Sequence, residues 1–379
     1  MKRSSACLCL ALMMSAASVS HGQHRVDHVD HYVPSRPENL AWGAFPKDKP
    51  PILHVKSGQT VRIDTLSHAG ATQDEHPVEY LGKYGVKPDE VLKDVIDFWS
   101  ARAKLRQDGT GGGHILTGPI YVENAAPGDM LEVQILSLTT RVPYGMNGTS
   151  SNGGVFRPTY AAKESDVPFI VPEGSNRHLY RTGNVDGKEV AFFADGIQVP
   201  LNPMMGIMAV VPKDAAMGDV GVRAPGLQGS GPPGPYGGNM DFRTLTIGTS
   251  LYLPVFHPGA LFYTGDSHGA QGDGEVSGNA LEQSLTGVFR FVLHKGKTIT
   301  APRAETATHF IVMGIDVDLD RSMRLAVAEA VKYLTEEKHL TPAKALSLCS
   351  LAVDFHVAEA VDGRQVVAGK IPKALFLKP

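Results

Sequence analysis

The chain has 379 residues, of which 42% are hydrophobic and 20% are charged, an ordinary globular balance that excludes wholesale disorder. A formal net charge of −3, with no basic cluster, argues against a nucleic acid as partner. Glycine (41 residues) and proline (26 residues) are frequent and spread along the chain, which favours many short strands joined by turns over a helical bundle.

The first 22 residues have the pattern of a secretory signal peptide. Lys2 and Arg3 precede an apolar run over 6–19, and small residues follow up to a cleavage point placed after Gly22. The run is too short to span a membrane. We therefore expect a mature domain of residues 23–379, located in the periplasm or secreted. Removal of the signal leaves Cys349 as its only cysteine, and the apolar run around it predicts a buried thiol.

Four segments of the mature chain are typical of strands. Apolar and polar residues alternate over 61–65, after a Ser57-Gly58 turn, and over 131–135, after a Pro127-Gly128-Asp129 turn. Residues 245–255 and 287–300 have a similar composition. Short strands with turn signals at such spacing predict a mainly β (α+β) fold with a sandwich-like core.

Three segments have the apolar periodicity of amphipathic helices: 89–104, 318–334 and 341–353. Asp318 or Asp320 is suited to cap the second helix, and Thr341 followed by Pro342 is suited to begin the third. The last two helices are close in sequence, so we expect a C-terminal helical hairpin packed on a sheet.

Residues 222–241 hold six glycines and four prolines and predict no regular structure. The segment could be a linker between two domains or an ordered loop that walls a site. The second interpretation is favoured because the segment leads directly into Asn239-Met240-Asp241 and a predicted strand.

The segment "GDSHGAQGDGE", residues 265–275, combines glycines with groups that bind metals or move protons. Asp266 and His268 are two positions apart, so on an extended backbone both side chains face the same side, as a zinc site requires. Asp273 and Glu275 have the same spacing and are expected to share a face, where they could support a metal or supply a general base. Glu282 is expected to cap or pair structurally. A turn network without a metal remains the alternative.

This segment and the preceding "PGPYGGNMDFRTLTIGTSLYLPV" closely resemble the acetamidase/formamidase family. The segments "GGHILTGPIYVENAAPGDMLEVQIL" and "GIDVDLDRSMRLAVAEAVKYL" resemble the same family in the same order. The resemblance implies a mainly β hydrolase that converts formamide- or acetamide-like substrates to the acid and ammonia. It also implies a divalent metal, with zinc favoured and calcium as the alternative.

The resemblance also implies roles for individual residues. The predicted metal ligands are His114, Asp266 and His268. Glu275 is predicted as the general base, Asp273 as an orienting carboxylate and Asn239 as the group that stabilises the oxyanion. Gln271 and Asp241 are predicted to bind the substrate.

Two departures from the family pattern leave the substrate open. Ile115 stands where the family tends to have proline, and Ala41 precedes Trp42 where the family often has histidine. The alternatives are a lactam hydrolase, a binding protein that kept the scaffold without the chemistry, and a metal-stabilised structural domain. The predicted partner is a small amide, and a homo-oligomer is left open.

Overall fold

The computed structural model of the chain describes residues 28–106, 113–151, 153–157, 174–214, 222–224 and 227–377. The predicted signal peptide lies outside the described residues. Within these ranges, no helix combines the length and the apolar character needed to cross a bilayer.

The described residues form strands β1 to β21 and helices α1 to α4. The strands are β1 His31–Val33, β2 Leu40–Trp42, β3 Leu53–Val55, β4 Thr60–Asp64, β5 Ile115–Val122, β6 Met130–Thr140, β7 Tyr144–Ser150, β8 Ser175–Val185, β9 Lys188–Ala194, β10 Ile197–Pro200, β11 Met204–Val210, β12 Val222–Ala224, β13 Leu227–Gln228, β14 Gly237–Asn239, β15 Ser250–Pro254, β16 Phe262–His268, β17 Leu285–His294, β18 Arg303–Glu305, β19 His309–Asp316, β20 Asp354–Glu359 and β21 Gln365–Pro372. The helices are α1 Pro77–Gly82, α2 Lys93–Leu105, α3 Leu319–Lys338 and α4 Pro342–Ala352.

Two large sheets form the centre of the molecule. A nine-stranded sheet has the order β1-β4-β17-β6-β15-β18-β19-β21-β20. A six-stranded sheet has the order β14-β11-β16-β5-β2, with β3 paired to β5. One apolar core joins residues of both sheets, among them Ile63 and Phe289 of the first and Ile207 and Phe262 of the second. The predicted mainly β fold with a sandwich-like core is confirmed.

Long-range pairing sets the sheet order. In the nine-stranded sheet, β17 pairs with both β4 and β6, and in the six-stranded sheet β16 lies between β11 and β5. Alternating apolar residues on the inner faces, such as Leu131, Val133 and Ile135 of β6, are fully buried between the sheets. The ends of β16, β14 and β20 lead into the residues of the candidate site.

The four-stranded sheet β10-β9-β8-β7 extends the fold beside the sandwich. Strand β7 enters it directly after β6, and Met146 of β7 forms an isolated bridge with Glu282. This sheet therefore stands next to the loop that follows β16.

The three predicted helices are present, with small shifts of their ends. Helix α3 begins after Asp318, whose side chain accepts a hydrogen bond from the Arg321 amide, and α4 begins after Thr341, which caps Lys344 in the same way. Both helices pack on β19 and β21 through Ala330, Leu334, Ala345 and Cys349. Cys349 is 3% exposed, as predicted.

Three boundaries differ from the sequence prediction for local reasons. Helix α2 begins at Lys93 because Pro88–Glu90 form a separate 3-10 turn. Strand β15 begins at Ser250, after a tight turn in which Gly248 has a φ of 82°. Strand β17 ends at His294 because the next turn, at Lys295 and Gly296, is tied to Asp129.

Candidate active site

The candidate site is built on the end of β16 and on the loop that returns to it. Asp266 and His268 lie on β16. After the glycine-rich loop the chain comes back antiparallel: the Gly269 amide donates to Leu281 O at 2.8 Å and the Gln283 amide donates to Ser267 O at 3.0 Å. This return places Glu282 opposite His268 in an isolated bridge. Glu282 is thus part of the site, whereas the sequence predicted that it would cap or pair structurally.

Four side chains form a closed ring of contacts. His68 Nδ1 lies 3.5 Å from Asp266 Oδ1 and 3.5 Å from Glu282 Oε2. His268 Nε2 lies 3.6 Å from Asp266 Oδ1 and 3.5 Å from Glu282 Oε1. His68 comes from the loop after β4, and nothing in its local sequence marked it. The ring therefore adds His68 and Glu282 to the predicted pair Asp266 and His268.

The atoms of this ring are buried and lack hydrogen-bond partners. Asp266 is 3% exposed, His268 is 0% exposed and Glu282 is 3% exposed. Within the described chain, His68 Nδ1, Asp266 Oδ1, His268 Nε2 and Glu282 Oε2 have no hydrogen-bond partner. Burial of a polar atom without a hydrogen-bond partner reduces the free energy of unfolding.

The separations in the ring fit ligands that share one cation. Contacts of 3.5–3.6 Å are too long for hydrogen bonds. Nitrogen and oxygen ligands at about 2.1 Å from a tetrahedral ion lie about 3.4 Å from one another. Two imidazoles and two carboxylates are also a donor set that divalent transition metals accept. The residues present therefore fit a metal ion.

Gln271 fixes the imidazole of His268. Its Oε1 accepts a hydrogen bond from His268 Nδ1 at 2.9 Å, and its amide nitrogen donates to the backbone oxygen of Asp241. With Nδ1 donating, the neutral imidazole of His268 has its lone pair on Nε2, the atom that faces Asp266 and Glu282 and would bind a cation. Both ends of Gln271 are engaged inside the protein, so its geometry suits a positioning residue better than the predicted contact with substrate.

His114 stands at the edge of the ring. Its Nε2 lies 3.7 Å from Asp266 Oδ2, and its Nδ1 shares a hydrogen bond of 3.0 Å with Ser230 Oγ. Ser230 belongs to the described part of the glycine- and proline-rich segment, and its amide donates to Gly43 O. This part of the segment is an ordered wall beside the site.

A second group of acids lies behind the ring. A carboxylate oxygen of Asp241, one of Glu275 and a ring nitrogen of His268 lie within 4.8 Å of one another. Two more acids belong to this group: Glu359, the last residue of β20, and Asp362, in the turn between β20 and β21. Asn239 connects the two parts by donating from Nδ2 to Asp362 Oδ2 at 2.7 Å.

Polar atoms in this second group are also unpaired. Both carboxylate oxygens of Asp241, the Oδ1 of Asn239 and the Oε2 of Glu359 are buried without a hydrogen-bond partner among the residues described. Glu359 Oε1, in contrast, accepts from the amides of Val361 and Asp362 and holds the turn that carries Asp362.

The two groups of carboxyls differ in protonation. Burial acts to raise the pKa of Asp266, but His114 and His268 outweigh it and hold that pKa well below its ordinary value. Burial is likewise outweighed at Glu282, where His268 and His68 lower the pKa. These two carboxylates in turn raise the pKa of His268 and of His68 against the effect of burial. The ring is therefore ionic.

The acids behind the ring hold their protons more tightly. Burial, and then Glu275 and Asp362, raise the pKa of Asp241 well above its ordinary value. Burial, and then Asp362 and Glu282, do the same at Glu275. Burial and Asp362 raise the pKa of Glu359. Neighbouring carboxyls with opposite shifts are the arrangement that separates a proton carrier from a permanent anion.

Asp273 is not brought into the site. It is exposed, while Glu275, two positions later, is 7% exposed. The predicted common face requires an extended backbone, but Gly274 has a φ of 88° and Glu275 a φ of 43°, so the chain turns between the two acids. The prediction that Asp273 and Glu275 share a face is wrong.

Three acids of the site have left-handed backbone conformations: Asp241 (φ 38°), Asp266 (φ 50°) and Glu275 (φ 43°). Such conformations are uncommon for residues with a side chain and cluster at functional sites. Gly206 of β11 makes room for two of them, because a Cβ there would collide with the carboxylate of Asp241 and lie 2.8 Å from the backbone oxygen of Asp266.

Sequence reasoning missed His68, Glu359 and Asp362. Each lies at the end of a strand or shortly after it, where side chains of distant segments meet, but only the sheet order shows which strand ends are neighbours. The one local signal is the Asp362-Gly363 pair, which is typical of a turn.

Comparison with known proteins agrees with this architecture. A relative from Schizosaccharomyces pombe is 27% identical over 267 residues, which are 61% of this chain and 58% of that protein, so the chain spans little more than half of that relative's length. The formamidase of Methylophilus methylotrophus is 26% identical over 368 residues, covering 83% of this chain and 84% of the formamidase.

The fold is also found in solved structures. The crystal structure of an acetamidase from Bacillus halodurans has a TM-score of 0.69 and 25% sequence identity, and the alignment covers 91% of this chain and 98% of that one. The sequence pattern of the Acetamidase/Formamidase family matches residues 100–229 and 228–378, which is most of the chain. The chain belongs to the acetamidase/formamidase family.

Proposed function

We propose that this protein hydrolyses the C–N bond of small linear amides to the carboxylic acid and ammonia. Family membership supports the reaction class. The observation that carries the proposal is the ring of buried, unpaired atoms from His68, Asp266, His268 and Glu282 beside the carboxyl of Glu275.

We further propose that the ring binds a divalent cation, with zinc favoured by its two nitrogen and two oxygen donors. When bound there, such a cation would act as a Lewis acid that polarises an amide carbonyl. His68 and His268 would contribute imidazole nitrogens, and Asp266 and Glu282 would contribute carboxylate oxygens. His114, at 3.7 Å from Asp266, supports that carboxylate or joins the set.

Glu275 is the proposed proton carrier. It accepts a proton from the attacking water as the oxygen adds to the amide carbon, and it delivers that proton to the nitrogen as the C–N bond breaks and ammonia leaves. Its raised pKa suits this exchange, because a carboxyl that binds its proton more tightly than usual is a better acceptor of the proton from water.

Asn239 is the proposed contact for the substrate nitrogen. Its Nδ2 is engaged by Asp362, and its buried Oδ1 lacks a partner among described residues, so it can accept a hydrogen bond from an amide N–H. The sequence predicted that Asn239 stabilises the oxyanion. Because its Nδ2 already donates to Asp362, the side chain is better oriented to accept a hydrogen bond from the substrate through Oδ1. Asp241 can accept a second N–H from the same group.

Elemental analysis and ammonia release test the proposal together. The purified protein should contain about one equivalent of metal per ring, and it should release ammonia from formamide or acetamide. Glu282→Gln should lose the metal and the ammonia release together. Full activity in metal-free protein would show that catalysis does not need the cation. Failure to release ammonia from any small amide would overturn the proposed reaction.

We also propose that residues 1–22 direct export and are removed. The proposal rests on the charged start, the apolar run and the small residues that follow. Mass spectrometry of the protein from the periplasmic and cytoplasmic fractions would locate the mature N-terminus. A full-length chain confined to the cytoplasm would contradict it.

A further inference from the structure

A cavity of about 160 Å³ opens next to the acids of the site. It is lined by β7, the start of β8, the segment 153–157, the turn at 277–279 and Val361-Asp362. Asp362, one of the lining residues, accepts the hydrogen bond from Asn239, so the cavity adjoins the proposed substrate contact.

Two arginines line this cavity. Arg157 and Arg177 are both exposed, and neither forms an ion pair with a carboxylate of the described residues. Arg177 is paired across the strands with Gly148, and its Nη1 lies 3.3 Å from the position that a Cβ of Gly148 would occupy. The missing side chain at Gly148 therefore leaves the Arg177 guanidinium open to the cavity.

Two arginines and one acid are found among the described residues that line the cavity. The acid is Asp362, and the buried carboxyls of Asp241, Glu275 and Glu359 are its neighbours. The guanidinium groups attract an anion, so a molecule with one anionic end would place that end at the arginines and its neutral end towards Asn239.

The cavity also exceeds the needs of the simplest amides. Its volume of about 160 Å³ equals the liquid share of about five water molecules, which gives room for the carboxylate end of a substrate whose amide lies beside the ring. Formamide or acetamide, which has no such end, would leave both guanidinium groups without a ligand.

We propose that the preferred substrate is a linear amide that carries a carboxylate, such as the monoamide of a short dicarboxylic acid. Arg157 and Arg177 bind the carboxylate, and the amide lies between Asn239 and the ring. The inference rests on the proposed amide hydrolysis and defines its substrate class.

Steady-state kinetics with paired substrates test this inference. The monoamides of malonic and succinic acid are compared with the neutral amides malonamide and propanamide. We expect kcat/KM of the native protein to be at least about tenfold higher for the charged substrates, with a preference that falls as salt is added. Arg177→Ala and Arg157→Ala should lose this preference and retain turnover of the neutral amides within about twofold.

Arg324→Ala, on the exposed face of α3, is the matched control and should leave both substrate classes unchanged. Calorimetric binding of the succinic monoamide to Glu275→Gln gives a second readout that needs no turnover, and Arg177→Ala in that background should weaken binding about tenfold.

The outcomes separate the two proposals. Neutral amides hydrolysed as well as charged ones, or equal losses for both classes in the arginine variants, would overturn the substrate class and leave amide hydrolysis standing. Absence of turnover for every amide would overturn the proposed function. Absence of monoamide binding to Glu275→Gln would overturn the arginine site in either case.

Discussion

Glu275 and Asp273 lie two positions apart in one loop but differ in every property that matters for catalysis. Glu275 is buried, has a left-handed backbone and has a pKa raised by burial and by Asp362 and Glu282, whereas Asp273 faces solvent. Only the first can exchange a proton with a molecule held in the site.

This contrast provides a matched pair of variants. Glu275→Gln should lower kcat by roughly 10²–10⁴-fold, the usual contribution of general acid–base catalysis, without loss of the fold. Asp273→Asn should leave kcat within about twofold, because its carboxylate makes no contact in the site. Ammonia release and circular dichroism measure the two effects. Normal turnover by Glu275→Gln would remove Glu275 from the mechanism.

Gly206 is the residue on β11 that allows two strained acids to approach each other. In Gly206→Ala, the new methyl group would collide with the Asp241 carboxylate and push it from its place beside Asp266. We expect a loss of activity of at least about 10²-fold, since misplacement by about 1 Å can have that effect. Gly82→Ala in α1, where the structure leaves open space, is the control. Equal activities of these two variants would show that the close approach has no catalytic importance.

At the scale of elements, α2 is tied to the sandwich by Asp94 in its first turn. Asp94 Oδ2 accepts from Ser35 Oγ at 2.5 Å and from Arg141 Nη2 at 2.7 Å. Arg141 also donates to the backbone oxygen of Thr65 at 3.1 Å, close to the loop that carries His68. The contact therefore joins a helix, the segment before β2 and the end of β6.

Asp94→Asn should reduce stability in a pH-dependent way. Burial acts to raise the pKa of Asp94, but Ser35 and Arg141 outweigh it and lower the pKa from 3.8. A lowered folded-state pKa gives stability that is present above pH 3.8 and is lost as the pH falls through the folded-state value. We expect the variant to be about 1–2 kcal/mol less stable near neutral pH.

Urea unfolding of both proteins measures this difference across the pH range. The difference in free energy of unfolding between the two proteins should shrink as the pH falls below 3.8. A gap that is constant down to acid pH would mean that Asp94 acts through packing and not through its charge.

Elements whose signals are local could be predicted from the sequence. Helices α3 and α4 have their apolar periodicity, and Asp318 and Thr341 cap them within one turn. Asp266 and His268 were predicted to face one side from their spacing alone. Glu282 could not be placed, because its position depends on the bridge to His268. His68 and Asp362 depend on which strands are neighbours in the two sheets.

At the scale of the whole molecule, the ring connects both sheets. Its unpaired buried atoms belong to the loop after β4, to β16 and to the returning segment at Glu282. A cation bound there would satisfy all of them at once, and its removal would leave their desolvation uncompensated.

Chelation should therefore lower the melting temperature, and added zinc should restore it. A ligand at a thousandfold excess over its Kd stabilises the native state by about 4 kcal/mol. Differential scanning calorimetry of the native protein and of Glu282→Gln measures the effect, and the variant should be insensitive to the chelator. An unchanged melting temperature of the chelated native protein would contradict a structural contribution of the cation.

The positions of the site residues along the chain also determine when that cation can bind. The residues run from His68 to Asp362, and strands of both layers of the sandwich lie between them along the chain. The segment 266–282 holds three of the four donors of the ring, and His68 joins them only when the loop after β4 packs against β16. A complete set of four donors therefore forms only after distant segments have packed together, unlike the local site of a zinc finger, so we expect the proposed cation to bind a scaffold that has already assembled. Loading would then be a late step of maturation, in whichever compartment the chain has by then reached.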